Sequence, residues 1–276
     1  MSAALNSIDA LLRQARLSIV AAEARQLLAH LLARPHAWLV AHGEVLLSAD
    51  EAGRYAELVA RRAAGEPIAY LTGLREFYGR SFAVTPEVLI PRPETEFLVE
   101  LGVAALRGVA APQLLDLGCG SGCIAISLAL ELPQATVTAV DVSSSALLLA
   151  ERNASAYSAR VSLLQSDWFS SLAGRRYDLI VANPPYIAAA DPHLAQGDLR
   201  FEPALALSSG ADGLAAIRTI VAEAPEHLAP GGSLLIEHGY DQAPALQQLF
   251  VAQGYRDIEQ WRDLAGIVRV TGGRGA

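Results

Sequence analysis

Residues 113–132, QLLDLGCGSGCIAISLALEL, run from an apolar stretch ending at Asp116-Leu117 into Gly118-Cys119-Gly120-Ser121-Gly122 and out into a second apolar stretch, Cys123 to Leu132. The first stretch has the length of a buried strand, the last that of a buried helix. Glycines are needed where a chain turns sharply from strand to helix and where a ligand must come close to the backbone. A lone Gly-x-Gly is weak evidence; placed between strand and helix it carries meaning.

The alternation continues downstream. ATVTAVD (135–141) reads as a strand and SSALLLAERNASAY (144–157) as a helix. VSLLQSD (161–167) and YDLIVAN (177–183) read as strands, a helix spans roughly Gly213 to Leu228, and GSLLIEHG (232–239) reads as a strand. The tail YRDIEQWRDLAGIVRVTGG (255–273) predicts two short strands finishing the sheet. Apolar strands with helical crossovers predict an α/β fold, Rossmann-like, with a mostly parallel sheet covered on both faces.

Upstream the pattern differs. Leu5, Ile8, Leu11 and Leu12 recur at helical spacing, as do Leu27, Leu28, Leu31 and Leu32. Ser48, with Glu51 three residues on, is a capping box for a helix running through Leu58 and Val59 towards Gly65. Residues 1–72 therefore form a small all-α domain. Residues 73–92 form a connector with a short hairpin around Phe82 and Val84, and 93–276 form the α/β domain. Pro93 suits the first turn of the next helix, with Glu94 and Glu96 near its positive end.

Asp141 closes the second strand, 23 positions after Gly118. An acid there can accept hydrogen bonds from both ribose hydroxyls of a nucleoside. A dinucleotide fingerprint would need glycine at Cys123. The spacing Gly118-x-Gly120-x-Gly122, with Asp116 two residues before it, resembles motif I of the class I S-adenosyl-L-methionine-dependent methyltransferases. That cofactor carries an ammonium group, for which Asp116 is a useful neighbour, and no diphosphate. Asp167-Trp168 follows the third strand, offering an acceptor for an adenine amino group beside a flat apolar surface. Cys119 lies in the turn and Cys123 on the helix; both read as small apolar filler rather than redox or metal residues.

The fourth strand ends in Asn183-Pro184-Pro185-Tyr186. Two prolines remove backbone donors and hold the chain extended, which fixes the direction of nearby carbonyls. A planar NH2 is a poor nucleophile because its lone pair is delocalised. The side-chain oxygen of Asn183 and the carbonyl of Pro184 can hold its two hydrogens and aim it at a methyl group, and Tyr186 can stack on its plane. Adenine-N6 DNA methyltransferases and glutamine-amide methyltransferases share this tetrapeptide, so it fixes the acceptor type and leaves the substrate open.

Composition narrows the choice. The 276 residues are 52% hydrophobic and include no lysine; all 21 basic residues are arginine. That excludes a Schiff-base lysine, a P-loop lysine and the strand lysine of a kinase. The 29 acidic residues leave a formal net charge of −8, which disfavours tight binding to a phosphate backbone. His30, His36 and His42 share no helical face, so no metal site is expected. Two cysteines four residues apart make no secreted disulfide framework, and neither a signal peptide nor a membrane span is apparent. A cytoplasmic protein is expected.

Taken together, GEPIAYLTG (65–73), REFYG (75–79), LIPRPETE (89–96), DLGCGSG (116–122), NPPYI (183–187), DPHL (191–194), FEP (201–203) and EHGY (237–240) resemble the peptide chain release factor N5-glutamine methyltransferases, also called HemK-like, over nearly the whole chain. One departure is Ile267, where the family often has a charged residue after DLAG. The resemblance implies transfer of a methyl group from S-adenosyl-L-methionine to the glutamine of the Gly-Gly-Gln loop of class I release factors, with the helical domain helping to grip them. It implies that Gly118 to Gly122, Asp141, Asp167, Trp168 and Asn183 contact the cofactor and Asn183 to Tyr186 the glutamine. The alternatives are methylation of a ribosomal-protein glutamine, an adenine-N6 DNA methyltransferase, which fits the charge poorly, and a non-catalytic scaffold, which would not need an acceptor site.

Overall fold

The computed structural model describes residues 6–275, so Leu5 lies outside the described residues. The chain forms two units that divide between Leu74 and Arg75. The first is helical: α1 (Ile8–Ala15), α2 (Ala21–Leu32), α3 (His36–Ala41), α4 (Ala49–Ala63) and α5 (Ile68–Thr72). The Ser48 hydroxyl accepts the Glu51 N–H and the Glu51 carboxylate accepts the Ser48 N–H, closing the capping box that starts α4. The apolar faces meet in a core of Ile8, Leu12, Leu27, Leu28, Leu39 and Tyr55. Tyr55 is anchored there by donating its hydroxyl to the Ala24 carbonyl at 2.9 Å.

From the last residue of the first unit onward, β1 (Leu74–Phe77) and β2 (Arg80–Ala83) form a two-stranded sheet. Tyr78 and Gly79 between them both have positive φ, the requirement of a tight type I′ turn. Pro93–Thr95 form a single 3₁₀ turn that leads into α6 (Glu96–Ala105).

The α/β core then follows as β3 (Gln113–Leu117), α7 (Cys123–Glu131), β4 (Thr136–Asp141), α8 (Ser144–Ala156), β5 (Val161–Gln165), β6 (Tyr177–Ala182), α9 (Ala204–Leu207), α10 (Ala215–His227), β7 (Leu228–Glu237), α11 (Ala243–Ala252), β8 (Arg256–Arg262) and β9 (Val268–Arg274). The seven-stranded sheet has the order β5-β4-β3-β6-β7-β9-β8; β3 to β7 are parallel, and β9 is antiparallel to both neighbours. Side chains of successive residues leave opposite faces of a strand. Leu114, Leu179 and Val181 accordingly join the core layer that holds α6, α7 and α8 residues, while Leu115, Leu117, Ile180 and Ala182 join the layer that holds α10 and α11 residues.

One strand is longer than its sequence pattern. β7 begins at Leu228, directly after α10, rather than at Gly232. Its register with β6 shifts between Tyr177↔Leu228 and Leu179↔Ser233, a bulge that absorbs Pro230 and Gly231. Those two residues make the segment read as a turn.

The chain runs outward from β3 to β4 and β5, then returns to lay β6 on the other side of β3. Ligands of open α/β sheets bind beyond the carboxyl ends of the strands at such a reversal. Register makes this concrete: Leu117 lies beside both Val140 and Ala182, and Asp141 beside Gln165. The segments after four adjacent strands therefore leave one sheet edge together.

Asn153 on α8 ties this edge to the hairpin. Its Nδ2 donates to the Ser121 carbonyl at 2.8 Å and to the Ala83 carbonyl at 3.0 Å, and its Oδ1 accepts the Ala83 N–H at 2.8 Å. Asn153→Ala leaves these buried groups without partners and should destabilise the protein by about 1–3 kcal/mol, measured by denaturant unfolding.

Candidate active site

A cavity of about 750 Å³ opens at that edge. Gly118, Cys119, Gly120 and Ser121 line it from the turn after β3, and Asp141 and Ser143 from the end of β4. Asp167 and Trp168 contribute from beyond β5, and Asn183, Pro184 and Pro185 from beyond β6. The cavity thus brings together the sequence-predicted residues with three exceptions, Asp116, Gly122 and Tyr186, which are not part of its lining.

Each turn glycine meets its own constraint. Gly120 has φ +52°, and a Cβ there would enter open space, so no side chain stands between this backbone and a ligand. Gly122 has φ +79°, and a Cβ would lie 3.0 Å from Ile126 and 3.1 Å from Ala150; it permits α7 and α8 to pack closely. The turn is pinned by the Gly118 and Cys119 N–H groups, which both donate to the Val140 carbonyl at 2.9 Å. Trp168 holds a left-handed backbone, φ +45°, rare for a bulky residue and costly unless its surroundings enforce it. The Ser166 hydroxyl, donating to the Trp168 carbonyl at 2.8 Å, helps to do so.

Asp141 accepts the Gly120 N–H at 2.9 Å and the Ser143 N–H at 2.9 Å, one on each oxygen. A carboxylate has about four acceptor positions, so two remain for a ligand. Asp116 is placed differently from its sequence-based role beside an ammonium group. It is fully buried beneath the turn and does not line the cavity; one oxygen accepts the Ala125 N–H at 3.1 Å and the other has no partner. Burial, reinforced by nearby Asp141, pushes its carboxyl up to about 7. Burial also pushes the thiol of Cys119 well up and that of Cys123 up to about 12, so both stay protonated and unreactive at neutral pH.

At the other end, the Asn183 Nδ2 donates to the Thr95 hydroxyl at 3.0 Å, while its Oδ1 is buried without a partner. The Tyr186 carbonyl accepts from Gln242 at 3.0 Å, and its ring packs on the α10–α11 core layer. Burial and Glu237 push its phenol up to about 12, so it is neutral. Sequence reasoning left Arg92 and Thr95 of LIPRPETE, and Pro203 after Glu202 of FEP, without site roles; all three line the cavity. Arg92 is ion-paired with the fully buried Glu202, whose other oxygen accepts the Ile90 N–H at 3.0 Å. That ion pair ties the LIPRPETE and FEP segments together at the cavity wall. Among the described residues, Arg92 is the only cation lining the cavity, against Glu87, Asp141 and Asp167.

This strand order, glycine turn and acid-lined cavity define a class I methyltransferase. Residues 95–200 match the methyltransferase small domain family and residues 3–73 the PrmC N-terminal domain family. A methyltransferase from Pyrococcus furiosus (TM-score 0.55, 18% identity, 80% of this chain and 100% of that one) shares the fold. So does the 16S rRNA N2 G1207 methyltransferase of T. thermophilus (TM-score 0.55, 22% identity, 74% of this chain and 50% of that one). The release factor glutamine methyltransferase of Bordetella pertussis is 54% identical over 91% of this chain and 93% of its own length; that of Escherichia coli K12 is 46% identical over 91% of each. The chain belongs to the release factor glutamine methyltransferase family, and its methyl donor is S-adenosyl-L-methionine. The residues present fit that donor, which carries positive charge and no phosphate: the cavity is acid-rich, and its one cation is already neutralised by Glu202. No helix among the described residues is long and apolar enough to cross a membrane.

Asp116 binds its proton more tightly folded than unfolded, where its ordinary value is 3.8. The stability that accompanies the protonated form is complete below about pH 4 and lost as pH rises through about 7. Asp116→Asn should flatten this decline, read as a smaller loss of unfolding free energy between pH 5 and pH 8 in the cofactor-free protein.

Proposed function

We propose that this enzyme methylates the side-chain nitrogen of the glutamine in the Gly-Gly-Gln loop of a peptide chain release factor, in the cytoplasm. The observation that carries the reading is the Asn183 amide: its nitrogen is committed to Thr95, and its buried oxygen is an acceptor with no partner inside the protein. A buried acceptor without a donor is costly, and an incoming N–H relieves that cost.

The bound S-adenosyl-L-methionine supplies an activated methyl group. Gly118 to Ser121 would lie against it, the two free acceptor positions of Asp141 would take the ribose hydroxyls, and Asp167 with Trp168 would hold the adenine. At the acceptor, Asn183 Oδ1 and the Pro184 carbonyl would each take one hydrogen of the glutamine amide. That holds its lone pair towards the methyl group, so rate enhancement comes mainly from positioning. Neutral Tyr186, set against the core beside this segment, supports the loop, and stacking on the glutamine plane requires its ring to turn towards the cavity. The helical unit would contribute to gripping the release factor. The charge of −8 and the absence of lysine favour a basic protein partner over a nucleic acid. The 46–54% identity to enzymes named for release factors favours that substrate over a ribosomal protein.

Mass spectrometry of release factor incubated with enzyme and donor should show one added methyl, on the Gly-Gly-Gln glutamine; methylation of DNA alone would sink the reading. Asn183→Ala should lower kcat by about 10²-fold or more while cofactor affinity changes far less. Asp141→Ala should weaken cofactor binding by about 1.5–3 kcal/mol in calorimetry.

A further inference from the structure

Asn183 poses a problem of polarity. A carboxamide has nearly the same shape when its oxygen and nitrogen are exchanged, but the ends are chemical opposites, two donors against an acceptor. Turned round, Asn183 would present N–H groups to the N–H groups of the acceptor. Something must choose the orientation.

Two neighbours outside the NPPY segment meet the amide. Thr95 comes from the turn before α6 and accepts the Asn183 Nδ2–H at 3.0 Å. Glu237 ends β7, and the pairing Ala182↔Ile236 brings it level with Asn183, the residue just after β6. Its carboxyl is buried and Oε2 has no hydrogen-bond partner, while Thr95 and Asn183 lie near enough to favour its ionised form. A hydroxyl alone cannot select an amide orientation, because it both donates and accepts. An ionised carboxylate only accepts. Beside Thr95 it would favour the rotamer whose hydrogen points at the carboxylate, leaving the hydroxyl oxygen to accept from Asn183.

We infer that Thr95 and Glu237 are positioning residues for methyl transfer, jointly holding the Asn183 amide with its oxygen free for the acceptor. The inference rests on the proposed role of Asn183. It also gives a role to LIPRPETE and EHGY, which flank the site without containing the acceptor motif.

The ionisation of Glu237 is set by its surroundings. Burial raises its carboxyl to about 7; Thr95, Arg269 on β9 and Asn183 oppose the rise, and Glu94 adds to it. Tyr186 and Cys123 are the other titratable groups whose own ionisation feels Glu237.

The test is steady-state methylation of purified release factor by full-length T95V, T95S, E237Q and N183A. T95V keeps the shape and loses the hydroxyl; kcat should fall about tenfold or more, with KM for release factor and cofactor Kd within about threefold of wild type. T95S should restore most of kcat. Wild-type kcat should drop as pH falls through about 7. E237Q, whose amide can donate as well as accept, should be slow and lack that limb, and it serves in place of T95V if that variant does not fold. Wild-type kcat in T95V with N183A inactive overturns the inference, as does a T95S rate as low as that of T95V. Wild-type kcat in N183A instead overturns the proposed role of Asn183 itself.

Discussion

Parallel register between β3, β4 and β6 is the constraint from which the rest of this enzyme follows. Leu117, Val140 and Ala182 lie abreast, so the three strands end at one level, and each is followed at once by residues that line the cavity: the glycine turn, Asp141 and Asn183. A side chain reverses faces when a strand slips by one residue, so a single-residue shift of β6 would send Ala182 to the wrong core layer and Asn183 away from the cavity edge. The alternation of Leu179, Ile180, Val181 and Ala182 between the two layers resists that slip through apolar burial on both faces. The precision of the site is thus held by the core.

That core explains why so much of the architecture is legible in the sequence. Buried strands of a parallel sheet must be apolar throughout, which gives QLLDL, TVTAV and YDLIVA an unmistakable composition. Gly120 and Gly122 are visible because both hold positive φ, a conformation that side chains adopt only at a cost. What stays hidden is whatever depends on pairing between remote positions. Asn153 looks like one polar residue of a helix, yet it joins the glycine turn to β2. Arg92 and Glu202 are separated by more than a hundred residues and meet across the cavity wall. Motif resemblance marks their segments as important, but only the fold shows what they touch.

The misplacements are as instructive. Asp116 has the right spacing for a cofactor contact, but a residue inside a central strand points into a layer, and its carboxyl turns under the glycine loop to meet α7. Tyr186 stands two residues beyond the first proline, its ring against the α10–α11 core layer and its carbonyl fixed by Gln242. Spacing along the chain could not distinguish a carboxyl in the cavity from one beneath it, nor a ring over the acceptor from one packed beside it.

A chain without lysine also makes chemical sense of its own site. Transfer of a methyl group from a cation to a neutral amide builds no negative charge that would need a cation to stabilise it. A free cation in the cavity would instead repel the donor. Arg92, the only cation lining the cavity among the described residues, is held by a buried carboxylate, and the remaining charges there are acidic. What the reaction does require is that a weak nucleophile be held with its hydrogens accounted for, and oxygens do that better than charges. In the proposed arrangement the donors point inward: a substrate N–H to the Asn183 oxygen, the Asn183 N–H to the Thr95 hydroxyl, and the Thr95 O–H towards Glu237. On that proposal each acceptor is useful only because the group behind it settles which way the proton points, and selection of a planar NH2 is shared between the ends of β6 and β7 and the turn before α6.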